Sequence, residues 1–243
     1  MFLKKITVLQ EGVNGDQYPF SIPAIRSLSQ LELEKPVTFF VGENGSGKST
    51  LLEAIAVNAG FHAAGGGRNN TYDVHAAQAD LRDYVRLSWL PKITNGFFLR
   101  AESFYQFASH IDELAKEDPR IYQSYGGQSL HKQSHGESFL SLFTNRFNED
   151  AIYFLDEPEA ALSPARQLAL LRVMHDLMTK GNVQFIIATH SPILLGYPDA
   201  QILSFDHGEI KEVDYESTEH YQIMKYFLQH REKMLMELFM EED

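Results

Sequence analysis

Short, unbroken apolar runs alternate along the chain with longer segments of helical period, and each run stops at glycine, proline or a polar cluster. Val37–Val41 reads as a buried strand, and Ser49–Ala59 as a helix closed by Gly60, a favoured residue just past a helix end. Ala151–Leu155 is a second apolar run and leads straight into Asp156-Glu157-Pro158. The next segment, Pro164–Lys180, repeats apolar residues at Leu168, Leu171, Val173, Met174, Leu177 and Met178. Ser163 suits its N-cap, Pro164 its first position and Gly181 its stop. Val183–Thr189 is a third buried strand, ending at His190-Ser191-Pro192, and Gly96–Arg100 a fourth.

Wholly apolar strands separated by helices imply an α/β fold whose mostly parallel central sheet is covered on both faces. Phe2–Gln10, Gln201–Phe205 and Glu209–Tyr215 are expected as antiparallel strands at its margins. Ser103–Phe147 reads as a small helical lobe, with a helix from Ser138 to Phe147, and 217–242 as a C-terminal helix. A chain of 243 residues suffices for one such domain with a full core, so residues 1–243 are read as a single unit.

The junction of the first strand and helix carries the chemistry. Gly42-Glu43-Asn44-Gly45-Ser46-Gly47-Lys48-Ser49-Thr50 fits G-x-x-x-x-G-K-[ST], the pattern of a phosphate-binding loop. Glycines let successive N–H groups turn toward an anion, and the helix N-terminus adds its dipole. Lys48 can reach the β- and γ-phosphates, Ser49 offers a hydroxyl to Mg²⁺, and Thr50 can contact the α-phosphate. The acid pair at the end of Ala151–Leu155 supplies two further roles. Asp156 suits the Mg²⁺ shell and Glu157 the attacking water, because neighbouring side chains on a strand point to opposite sides. His190 caps another apolar strand at the edge where a γ-phosphate would lie.

With GENGSGKST, IYFLDEP and ATHSP in this order and approximate spacing, the chain resembles an ATP-binding-cassette (ABC) ATPase along nearly its whole length. Within that superfamily it is similar to compact stand-alone cassettes and to the heads of chromosome-maintenance and recombination-repair ATPases. The resemblance implies a P-loop fold, Mg²⁺-dependent conversion of ATP and water to ADP and phosphate, Glu157 as catalytic base and His190 as the switch residue at the γ-phosphate. It also implies a signature segment that approaches the phosphate of a second copy in a head-to-tail homodimer. Gln133-Ser134-His135-Gly136-Glu137 occupies that place, with Ser134 and Gly136 retained and the leading leucine absent. Ser163 stands where the family's D-loop usually has aspartate. Where the family places a Q-loop glutamine, Gly96–Arg100 is followed by Glu102, a candidate metal or water ligand, while Gln106 lies further on. The base has three candidate contacts, Tyr18, Phe20 and Arg26, although aromatics in such a segment are more often core or strand residues than base platforms.

A formal charge of −12 disfavours general nucleic-acid binding, which draws its affinity from cationic contacts with phosphate. No long apolar stretch or leader is evident and there is no cysteine, so a cytoplasmic protein with neither direct membrane insertion nor disulfides is expected. The ten histidines lack metal-ligand spacing. Residues 63–70 are read as a glycine-rich loop behind the phosphate-loop helix. The C-terminal helix carries an apolar stripe through Tyr221, Met224, Phe227, Leu228, Leu235, Leu238 and Phe239, widened by Met234, Met236 and Met240. Such a stripe is ordinarily core, and its methionines also suit a protein partner. Besides the stand-alone ATPase, two readings remain: the nucleotide-binding subunit of a transporter with a separate permease, and a slow nucleotide switch acting on a partner protein.

Overall fold

A computed structural model describes residues 1–63, 65–67, 81–132 and 135–240. In chain order its elements are β1 (Leu3–Val8), α1 (Pro23–Ser27), β2 (Gln30–Glu32), β3 (Val37–Val41), α2 (Lys48–Asn58), β4 (Val85–Trp89), β5 (Gly96–Arg100) and α3 (Phe104–Glu117). Then come α4 (His135–Arg146), β6 (Ala151–Asp156), α5 (Pro164–Lys180), β7 (Val183–Ala188), α6 (Pro192–Leu195), β8 (Gln201–Ser204), β9 (Lys211–Glu212) and α7 (Glu219–Leu238).

The apolar runs assemble into a six-stranded sheet of order β5-β6-β7-β3-β8-β9, parallel except for β9. Because side chains alternate along a strand, runs without polar positions must feed two cores. Phe39, Phe97, Tyr153 and Phe185 face α3, α4 and α5, where Phe107, Phe139, Phe143 and Met174 meet them. Phe40, Phe98, Phe154 and Ile186 face the opposite way, toward α1, α2 and a separate antiparallel sheet of order β2-β1-β4. Each buried aromatic or aliphatic side chain contributes roughly 1.5–3 kcal/mol. Gln184 is the polar exception on β7, and its burial is compensated: Oε1 accepts the Phe2 and Leu3 amides at 2.9 and 2.8 Å, and Nε2 donates to the Leu3 carbonyl at 2.9 Å. That side chain ties β1 to the central sheet.

Several expectations need correction. β8 runs parallel to β3, because α6 carries the chain back across the sheet before it starts, and only the two-residue β9 is an antiparallel margin. β1 belongs to the second sheet. The helix expected from Ser138 begins at His135. No residue of α7 is buried, so its stripe is not core. Of the glycine-rich loop, Gly66 bridges to Phe98, while residues 64 and 68–70 lie outside the described residues. Among the described residues no helix is long and apolar enough to cross a membrane.

Candidate active site

β3 delivers the chain into the phosphate loop, and two glycines permit its path. Gly42 has φ 144°, and a Cβ there would stand 2.9 Å from Asp206 Oδ1. The close approach lets Asp206 accept the Glu43 amide at 2.9 Å, while its other oxygen accepts the Ser204 hydroxyl at 2.8 Å. Gly47 has φ 102° and lies against Ile22 and Ile25. Among the described residues no side chain caps α2, which leaves its first-turn amides for an anion, and none pairs with the buried Ser46 hydroxyl. Lys48 is 4% exposed and curls over the loop, donating to the carbonyls of Gly42 and Glu43 at 2.7 and 2.8 Å. Burial holds its ammonium below the ordinary lysine range, against the pull of Glu157, Asp206, Asp156 and Glu43. An open cleft of about 350 Å³ lies beside the loop, lined by Tyr18, Ile22, Asn44, Gly45, Gly47, Lys48, Ser49, Thr50 and Glu157.

β6 brings the acids to the same cleft. Asp156 is buried and accepts the Ser49 hydroxyl at 2.7 Å. Burial pushes its carboxyl up to about 6, although the Ser49 hydrogen bond and Arg100 draw it down. Glu157 follows in the left-handed region, φ 49° and ψ 50°, which costs a non-glycine residue about 1 kcal/mol and turns its side chain to the cleft while Asp156 points inward. The buried carboxylate and the adjacent hydroxyl form a hard, all-oxygen donor pair. That pair fits Mg²⁺, which takes few protein ligands and completes its shell with phosphate oxygens and water.

Around Asp156 the structure reveals an arginine that sequence reasoning left unassigned. Arg100 donates to Glu53 at 2.5 Å and to Glu102 at 2.6 Å, and its Nε lies 3.6 Å from Asp156 Oδ2. Glu102, the candidate metal ligand, is engaged by this guanidinium and its side chain is largely exposed.

β7 ends at His190, whose Nε2 lies 3.8 Å from Glu157 Oε1. Its backbone amide donates to Glu159 Oε1 at 2.6 Å, and its Nδ1 lies 2.8 Å from His220 Nε2 at the start of α7. Below it, Ser191 donates to the buried Gln167 of α5 at 2.5 Å. Glu159 follows the acid pair closely enough to have been suspected. His220 carried no sequence signal.

The remaining candidates separate. Tyr18 lines the cleft and its hydroxyl lies 3.1 Å from Thr50 Oγ1. Phe20 is core, packed edge-to-face on Tyr84, and Arg26 and Gln106 are exposed. Ser134 lies outside the described residues. Gly136 sits in the first turn of α4, buried beneath Arg166, whose guanidinium a Cβ at this position would overlap. Ser163 precedes α5 in the conformation of an N-cap, without a side-chain cap bond.

A family model described as "AAA domain" matches residues 21–157, and another, described as "AAA domain, putative AbiEii toxin, Type IV TA system", matches residues 130–196. Proteins named "Ribose import ATP-binding protein RbsA 2" from Burkholderia cenocepacia and Burkholderia orbicola are 26% identical over 190 residues, or 70% of this chain. The chain spans only 37% of the length of these curated relatives. Similar solved structures include an ATP-binding cassette of an ABC transporter in its ADP conformation, at 17% identity and TM-score 0.49 over 99% of this chain and 100% of that one. Another is an SMC head domain from Thermotoga maritima, at 19% identity and TM-score 0.44 over 88% and 100%. With a family model covering more than half of its length and a phosphate loop seated between β3 and α2, the chain belongs to the AAA-domain family.

Proposed function

We propose that this chain binds ATP with Mg²⁺ in the cleft beside the phosphate loop, hydrolyses it, and works in the cytoplasm by closing on a second copy of itself. The convergence of Lys48, Ser49, Asp156, Glu157 and His190, from the ends of two parallel strands and one helix N-terminus, carries the reading. Loop and first-turn amides receive the phosphates, and Lys48 exchanges its two carbonyl partners for β- and γ-phosphate oxygens. Ser49 and Asp156 would hold Mg²⁺, which would supply positive charge against the phosphate oxygens. Glu157 takes the proton of the attacking water, and His190 orients both Glu157 and the γ-phosphate. Tyr18 offers its exposed ring to the base. Signature residues Ser134 and Gly136 act in trans, and the exposed stripe of α7 serves a protein contact rather than the core.

The test compares nucleotide binding and phosphate release in two variants. Lys48→Ala is expected to lose binding and to lower kcat/KM by at least about a hundredfold. Glu157→Gln is expected to keep binding and to lower kcat by about 10²–10⁴-fold. Wild-type turnover in either variant would remove the assignment.

A further inference from the structure

We infer that His220 is the positioning residue for His190, fixing which ring nitrogen of His190 carries the proton that faces Glu157 and the phosphate site. This inference rests on the ATPase reading above. His190 Nδ1 and His220 Nε2 are 2.8 Å apart, with ring centroids 4.8 Å apart and planes at 61°. Two imidazole nitrogens at that distance share one hydrogen. A neutral imidazole has one N–H to place. Burial, Lys48 and His220 hold His190 below the ordinary imidazole range, outweighing Glu157 and Glu43, so the ring is neutral near pH 7.

Two arrangements satisfy the pair, and the surroundings select between them. If His190 Nδ1 donated to His220, His190 Nε2 would present a lone pair 3.8 Å from the Glu157 carboxylate. Two acceptors would then face each other, and a phosphate oxygen, also acceptor-only, would find no donor. If His220 Nε2 donates to His190 Nδ1, the proton of His190 sits on Nε2, aimed at Glu157. His190 Nε2 is buried and has no hydrogen-bond partner among the described residues, as expected for a donor whose acceptor is Glu157 in its catalytic position or a ligand oxygen. The backbone of His190 is already anchored by Glu159, so ring rotation and tautomer are the freedoms left for His220 to remove.

The donor comes from outside the sheet. His220 lies in the first turn of α7, a helix with no buried residue, whose start is held by the Tyr215 hydroxyl donating to the Pro192 carbonyl at 2.9 Å and the Thr218 hydroxyl donating to the Tyr215 carbonyl at 2.8 Å. The orientation of α7 therefore sets the tautomer of a residue in the active site.

Nitrogen NMR of the histidine rings in nucleotide-free protein tests this directly, with His190→Gln assigning the resonance. The proton of His190 is expected on Nε2 in wild type and in His220→Gln, whose amide keeps an N–H where the ring nitrogen stood. His220→Leu is expected to lose that preference. For Mg-ATP hydrolysis, His220→Leu should lower kcat about ten- to a hundredfold, in the range for outer partners of a functional histidine, with KM within about twofold, and His220→Gln should recover most of it. A proton on Nδ1 in wild type overturns the inference, as does an unchanged kcat in His220→Leu or an equal loss in both variants. An Nε2 proton in a wild type that hydrolyses no ATP would leave the role of His220 standing and overturn the ATPase reading instead.

Discussion

Asp156 holds the largest electrostatic tension of the site. Its carboxyl is buried, with one hydroxyl donor at 2.7 Å and a guanidinium nitrogen at 3.6 Å, and burial raises its pKa from 3.8 to about 6. A carboxyl whose folded pKa exceeds its unfolded value binds its proton more tightly in the native state. Between about pH 4 and 6 the native state therefore carries more protons, and stability of the metal-free protein falls as pH rises. That rise corresponds to about 3 kcal/mol, fully felt above pH 6. Asp156→Asn keeps an oxygen for Ser49 and removes the buried charge. It should melt several degrees higher than wild type at pH 7 in the presence of a chelator, lose this component of the pH dependence, and fail to hydrolyse Mg-ATP. A variant less stable than wild type at pH 7 would show that Arg100 depends on the Asp156 charge more than burial opposes it.

Elements differ in how plainly their sequences announce them. α5 has the predicted limits because Ser163-Pro164 and Gly181 bracket an uninterrupted helical period, and β3, β6 and β7 follow apolar runs too long to fit one face of a half-exposed sheet. The candidate acids, Lys48 and Ser49 were legible for the same reason: each stands where such a run ends or a helix starts. Direction and partner were not legible. β8 has the same composition either way, and the crossover before it decides. Gly136, in the first turn of α4, lies against Arg166, a neighbour 30 residues away in sequence. His220 is likewise 30 residues from His190. α7 shows the limit most clearly, since its stripe is helical and apolar yet Leu228, Leu238 and Phe239 on it are 73%, 71% and 73% exposed. Leu228→Ser and Leu238→Ser should each change the unfolding free energy by less than about 0.5 kcal/mol, while Phe139→Ala, in the lobe facing the sheet, should cost about 3–5 kcal/mol. Urea titrations separate the cases, and a loss of 2 kcal/mol or more at either leucine would mean that the face of α7 is covered in solution.

At the scale of the whole molecule, the cleft is open on one side among the described residues. Glu157 keeps 44% of its side chain exposed, so one copy alone does not exclude bulk water from the atom that must activate a single water molecule. Preorganised phosphoryl transfer needs that exclusion, because fixed donors act strongly only where solvent does not compete. A second copy placed head to tail would cover the cleft with its signature segment, yet each copy carries a formal charge of −12. Like charges of that size oppose association, and bound Mg-ATP adds negative charge on both sides. Closure should therefore be favoured by salt over the range in which the Debye length shrinks from about 30 Å at 0.01 M to about 8 Å at 0.15 M. Sedimentation of Glu157→Gln, which retains ATP, tests both points. Without nucleotide it should run as a monomer. With Mg-ATP it should shift toward a dimer, and further at the higher ionic strength. If salt instead dissolves the dimer, attractive charge pairs dominate the interface and the net charge is a poor guide to it. A monomer at both salt concentrations with ATP bound would mean that another chain supplies the missing wall.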